Sequence, residues 1–150
     1  SLCRLMRHYH DVRIVFVSPP AFGMEPDIKD YLWEHSIEYS EVNNLHDVLP
    51  ELDAIYVTRM QSEHDIEGES SGVDLTRFSI SSDELQRMKS SAVIMHPLPR
   101  GPEIHPSVDK DPRSMYWRQE RNGMWIRGAL IASVLGAADQ IRESGSRFTT

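Results

Sequence analysis

Apolar residues recur along this chain in two rhythms, and the alternation between them predicts its elements. Leu2, Leu5, Met6 and Tyr9 fall at three- and four-residue intervals, which predicts a helix from Ser1 to about Tyr9 with one apolar stripe. Arg13 to Val17 reads as a buried strand, closed by Ser18-Pro19-Pro20. Glu25-Pro26-Asp27 puts acid and proline in a first helical turn, and that helix runs to about His35 with Ile28, Tyr31 and Leu32 facing inward. A short strand is expected at Ile37 to Tyr39. Asn44 then caps a short helix carrying Leu45, Val48 and Leu49 and ending before Pro50.

Asp53 to Val57 is the next strand, and it ends in Thr58-Arg59-Met60-Gln61. The chain turns polar from Gln61 as far as Ser82, a length of loop that in a domain is more often functional or mobile than decorative. Ser82-Asp83-Glu84 opens a helix that carries Leu85 and Met88 inward and leads to the strand Ala92 to Met95. Strands alternating with helices predict an α/β domain, a parallel sheet with helices on both faces in the doubly wound manner and right-handed crossovers. Gly101 to Arg113, rich in proline and charge, should be mostly loop. A final helix starts between Tyr116 and Asn122 and runs towards Glu143; from Met124 to Leu135 it is apolar nearly all round, interrupted chiefly by Arg127 and Ser133. Such a helix is buried on more than one side, so it is expected to pack on this domain and on something outside this sequence.

The 150 residues have the size of one domain. A net charge of −7 argues against a nucleic-acid surface, and the last apolar run is too short, with Arg127 too central, for a membrane span. The single Cys3 leaves no disulfide framework or thiolate metal cluster within the chain and fits a reducing, cytoplasmic setting. The histidines are scattered without a spacing that would put two ligands on one helical face, so neither a metal nor another cofactor is expected.

Chemistry concentrates in two loops. After Ala92-Val93-Ile94-Met95 comes His96-Pro97-Leu98-Pro99-Arg100, in which each proline fixes φ and lacks an NH. This loop offers the carbonyls of His96, Pro97 and Leu98 with few competing donors, which suits an amine, while Arg100 adds a planar fork suited to carboxylate or phosphate. Read alone, the prolines could equally just end a strand and Arg100 be a surface charge. The Thr58 to Gln61 loop shifts that balance, because both loops follow apolar strands and ligands of open parallel sheets sit outside the carboxyl ends of the strands.

Thr58-Arg59-Met60-Gln61, His96 to Arg100, Glu103-Ile104, Asp109, Asp111-Pro112-Arg113, Tyr116, Gln119, Asn122-Gly123 and Arg127 resemble, in order and spacing, the aspartate carbamoyltransferases. The chain is similar to the second, aspartate-binding half of their catalytic polypeptide, from Ser1 to about Gly136. The sister ornithine enzymes have a cysteine where this chain has Pro97, which favours aspartate. The resemblance implies transfer of a carbamoyl group from carbamoyl phosphate to L-aspartate, giving N-carbamoyl-L-aspartate on the route to pyrimidines. Residues 1–150 would supply the aspartate-binding domain, and carbamoyl phosphate would be held chiefly by an N-terminal domain that this sequence does not contain. A homotrimer and regulatory chains are the partners it implies.

Residue by residue, the resemblance implies that Arg59 clamps an aspartate carboxylate, that Gln61 helps hold the amino acid and that Arg100 belongs to the same binding set. The carbonyls of Pro97 and Leu98 would accept from the carbamoyl NH2 and the attacking amine, across a cis Leu98-Pro99 bond. Arg127 would either act at the active site or join the two halves. His96 would be a general base, anchor its loop or polarise a carbonyl, and Glu63 would either orient Arg59 or be a solvated acid. The family usually has lysine and arginine where this chain has Ser62 and His64, so loop closure here is expected to depend on a protonated His64. A binding module that keeps the amino-acid pocket without chemistry is the alternative; no Gly-rich phosphate turn follows any strand to favour a nucleotide domain.

Overall fold

The computed structural model describes residues 2–59 and 74–146. Helices and strands alternate as α1 (Leu2–Leu5), β1 (Arg13–Val17), α2 (Pro26–Glu34), β2 (Glu38–Val42), β3 (Ala54–Tyr56), α3 (Ser82–Arg87), β4 (Val93–Met95), α4 (Tyr116–Val134) and α5 (Ala138–Ser146). Among the described residues the strand pairs are parallel, as expected of an α/β domain. β1 lies beside β2 with Arg13 opposite Glu38, and β3 beside β4 with Ala54 opposite Val93 and Tyr56 opposite Met95. Hydrogen bonding thus groups the strands into two ladders. The far edge of β4 is taken by the chain entering α4: Ile94 N donates to Arg113 O at 2.8 Å and Met115 N to Ile94 O at 2.8 Å.

Local chemistry explains the ends of the elements. Pro26 opens α2 where no NH is needed, and Ser36, at φ 54, closes it: Ser36 N donates to Trp33 O and Ile37 N to Leu32 O. α3 opens at Ser82 as expected, and Ser81 caps it in a reciprocal box with Glu84, whose Oε2 accepts from Ser81 N at 2.8 Å. Asn44 caps a single 3-10 turn at Leu45–Asp47 rather than an α-helix, too short a segment before Pro50 for more.

Three expectations need correction. The first helix is one α turn followed by a 3-10 turn at Met6–His8, and Leu2, Leu5 and Tyr9 stay exposed. β2 starts at Glu38, one residue later than expected, and extends to Val42. The last helix stops at Val134 instead of reaching Glu143, because Gly136 at φ 69 turns the chain and Ala137 N bonds back to Ala132 O; a separate helix, α5, follows.

The core sits around β3 and β4. Ile55, Val57, Ile80, Leu85, Met88, Ile94, Ile104, Val108 and Tyr116 are buried together, with Leu45 and Leu49 from the capped turn. β1, by contrast, holds no fully buried residue. Among the described residues, no helix is long and apolar enough to cross a membrane.

Candidate active site

The two polar loops leave adjacent parallel strands side by side. Val57 N still donates to Met95 O at 2.9 Å, so Thr58 and Arg59 emerge next to His96 and Pro97 at the carboxyl ends of β3 and β4. Apolar strands anchored in the core carry polar loops to one edge, the usual ligand position in such sheets. Gln61, Ser62, Glu63 and His64 lie outside the described residues, and so do the roles expected of them.

The proline loop is held from several directions. His96 is 1% exposed. Its ring Nδ1 accepts from Leu98 N at 2.9 Å, its Nε2 lies 2.8 Å from Glu103 Oε1, and its backbone NH donates to Gln119 Oε1 at 3.0 Å. Both ring nitrogens are therefore engaged within the loop, which is the geometry of an anchor and leaves no lone pair for a substrate proton. Glu103 also accepts from Gly101 N at 2.7 Å. Burial pushes the Glu103 carboxyl up, but the NH donors and His96 outweigh it and hold the group below its ordinary 4.5.

Leu98 sits at φ 49, a left-handed conformation that a bulky residue adopts at a cost of roughly 1–3 kcal/mol and only where its surroundings fix it. The Leu98-Pro99 peptide is cis. Among the described residues no hydrogen bond ends on the carbonyl oxygens of Pro97 or Leu98. Pro97, Leu98 and Pro99 line an open cleft together with Trp117, Glu120 and Arg127 of α4. Arg127 lies along its helix above Gly123: a Cβ there would stand 3.7 Å from its Nη1.

Arg100 also borders this cleft, yet its guanidinium is engaged inside the domain. Nη1 donates to Ile104 O at 2.8 Å and Nη2 to Asp109 Oδ2 at 2.6 Å, while the other Asp109 oxygen accepts from the buried Tyr116 hydroxyl at 2.6 Å. Burial, then the neighbouring Asp109 carboxylate, raises the Tyr116 phenol above its ordinary 10.0. Arg100, Asp109 and Tyr116 thus bolt the loop to the first turn of α4. Asp111 and Arg113 add a second bolt: Arg113 bonds both Asp111 oxygens and reaches the Leu85 carbonyl at 2.8 Å. Arg113 holds the Asp111 carboxyl below its ordinary 3.8.

Sequence reasoning names Pro97, Leu98, Arg127 and Arg59 for this edge, and the fold brings the first three round one cleft with Arg59 on the neighbouring loop. It gives no role to Glu103, Gln119 or Asp109, which hold the loop, or to Trp117 and Glu120 in its wall. Their signal was faint, because His96 and Glu103 lie in a proline-rich loop where no helix or strand period applies, and only its fold brings them together. No group of three or more His, Cys, Asp and Glu able to hold a metal occurs among the described residues.

A model of the Asp/Orn binding domain of aspartate/ornithine carbamoyltransferases matches residues 1–134. The chain is 39% identical over 140 residues to the chloroplastic aspartate carbamoyltransferase 1 of Pisum sativum, covering 90% of this chain and 35% of the relative. It is 37% identical over 137 residues to the aspartate carbamoyltransferase catalytic subunit of Clostridium novyi, covering 91% of this chain and 44% of that subunit. Among solved structures it resembles the aspartate transcarbamoylase of Trypanosoma cruzi in complex with carbamoyl aspartate and phosphate, with TM-score 0.77, 28% identity, and cover of 87% of this chain and 43% of that one. It therefore spans less than half the length of these relatives. Shared sequence and shared fold agree that the chain belongs to the aspartate/ornithine carbamoyltransferase family and carries its Asp/Orn binding domain.

Proposed function

We propose that this chain is the amino-acid half of an aspartate carbamoyltransferase, and that the longer polypeptide transfers the carbamoyl group of carbamoyl phosphate to the amine of L-aspartate. The observation that carries this is the pair of carbonyls at Pro97 and Leu98, unbonded among the described residues, in a loop that lines one cleft with Arg127. Two bare acceptors suit the carbamoyl NH2 and the incoming amine, each of which carries N–H donors. Arg59, with Gln61, binds the aspartate carboxylates, and Arg127 meets negative charge in the cleft. Arg100 serves the site by holding the loop rather than by touching substrate.

Little acid-base help is needed from this half. A neutral amine attacks a carbonyl whose leaving group is phosphate, so the new C–N bond forms as the C–O bond to phosphate breaks, and the amine proton leaves with solvent or phosphate. Orientation and preorganised charge supply the acceleration. The apolar face of α4 packs on the carbamoyl phosphate domain, the polypeptide assembles as a homotrimer, regulatory chains being further partners, and a reducing compartment such as the cytoplasm suits Cys3.

The test is carbamoyl transfer by the full-length polypeptide offered L-aspartate and L-ornithine separately. Turnover with aspartate and not ornithine is expected. Turnover with ornithine alone would reverse the assignment of Arg59 and Gln61, and aspartate binding without turnover would favour a binding module.

A further inference from the structure

The loop that presents Pro97 and Leu98 depends on which nitrogen of a buried imidazole carries a proton. Leu98 N can only donate, and it donates to Nδ1 of His96. Nδ1 must therefore be bare, so a neutral ring bears its proton on Nε2, where Glu103 Oε1 stands 2.8 Å away to accept it. The opposite tautomer would set an N–H of the ring against the N–H of Leu98. Glu103 is itself held in place by Gly101 N, and the backbone of His96 by Gln119 of α4. The Leu98 NH shares a peptide plane with the Pro97 carbonyl, so its bond to Nδ1 fixes that carbonyl, and the positive φ of Leu98 relates the plane of the Leu98 carbonyl to it.

We propose that Glu103 is a positioning residue that acts through His96: it keeps the imidazole in the Nε2–H tautomer, so that bare Nδ1 holds Leu98 and thereby aims the Pro97 and Leu98 carbonyls at the reacting carbamoyl and amine groups. The logic is that of any carboxylate that selects a histidine tautomer, applied to backbone geometry instead of proton transfer. It rests on the carbamoyl-transfer function proposed above. Neither residue touches substrate.

The test uses the full-length polypeptide and three variants. In Glu103→Gln the amide can donate to Nε2 as well as accept from it, so the tautomer is no longer imposed. kcat should fall by roughly tenfold to a hundredfold, the size expected when reacting groups are misplaced by about an ångström, with a much smaller change in KM for aspartate. His96→Asn places a side-chain oxygen where it accepts from the NH two residues on, as asparagine does in Asx turns, and should keep kcat within about tenfold of wild type. His96→Gln lacks that short reach and should lose more than His96→Asn. Ring nitrogen NMR of histidine-labelled protein, with the His96 signal assigned by its absence in His96→Asn, should show the neutral Nε2–H form in wild type and a mixture in Glu103→Gln.

A cationic or Nδ1–H ring in wild type at neutral pH would overturn the proposal. So would His96→Asn being as inactive as His96→Gln, the outcome expected of a general base. If wild type turns over neither amino acid, the proposed function fails, whereas the ring spectra still decide whether Glu103 sets the tautomer.

Discussion

The start of α4 is tied into this domain, whereas its far half is mostly exposed although it is the more apolar of the two. At its start Tyr116 is fully buried, its hydroxyl bonded to Asp109, and Gln119 is bonded to the backbone of the proline loop. Further along, Trp125, Leu130 and Val134 are 66%, 61% and 85% exposed, and Met124, Ile126 and Ile131 are exposed with them. Hydrophobic side chains are buried only where the rest of the chain supplies a surface to meet them. The start of the helix is anchored in this domain through Tyr116 and Gln119, and the second half, apart from the buried Ala132, presents an apolar face far larger than scattered surface residues would make. Arg127, at the cleft, lies within this exposed half.

This contrast can be broken from its buried side most strongly. Ile94→Ala, in the strand between β3 and the entry to α4, should cost about 2–5 kcal/mol in urea unfolding, because it opens a cavity in a fully buried position. Tyr116→Phe keeps the ring but removes the donor to Asp109, and should cost about 1–3 kcal/mol by the same measurement. Leu130→Ala, in the exposed half, should change the chain's own unfolding free energy by no more than about 0.5 kcal/mol. A cost from Leu130→Ala matching that of Tyr116→Phe would mean that the far half of α4 is covered within this domain.

Acid sharpens the same comparison. Glu103 and Asp111 both tie the proline loop and the entry to α4, and both are held below their ordinary values of 4.5 and 3.8, Glu103 by NH donors and His96 against burial, Asp111 chiefly by Arg113. A carboxyl whose pKa is depressed on folding contributes stability that is complete above its unfolded value and disappears as pH falls through the folded one. Stability should therefore decline progressively below about pH 4.5, and Glu103→Gln should flatten part of that decline. A decline unchanged in Glu103→Gln would show that Glu103 takes no part in it.

Much of the fold was legible because it is written locally. The strand runs at Arg13 and Ala92, the proline that starts α2 and the serine and acids that start α3 act within a few residues, and the structure keeps them to within a residue or two. The end of α4 was missed because one glycine outweighs an apolar pattern that continues past it: Ile141 prolongs the rhythm, but Gly136 at positive φ turns the chain first. Pro97, Leu98 and Arg127, named for the site from residue chemistry and resemblance, line one cleft. Arg100 illustrates what sequence withholds, since a guanidinium suited to a ligand carboxylate is equally suited to Asp109, and only the fold shows that Asp109 is within reach. Glu103 and Gln119 were hidden for the same reason: their partners are backbone and ring atoms brought near by tertiary packing.

The most direct measurement is a crystal structure of the full-length polypeptide with N-carbamoyl-L-aspartate and phosphate bound. The account predicts the carbamoyl nitrogen within about 3 Å of the Pro97 or Leu98 carbonyl oxygen, with an aspartate carboxylate on Arg59 and the imidazole of His96 still joined to Leu98 N. Product bound away from the proline loop, or His96 turned out of its loop to touch the product, would contradict it.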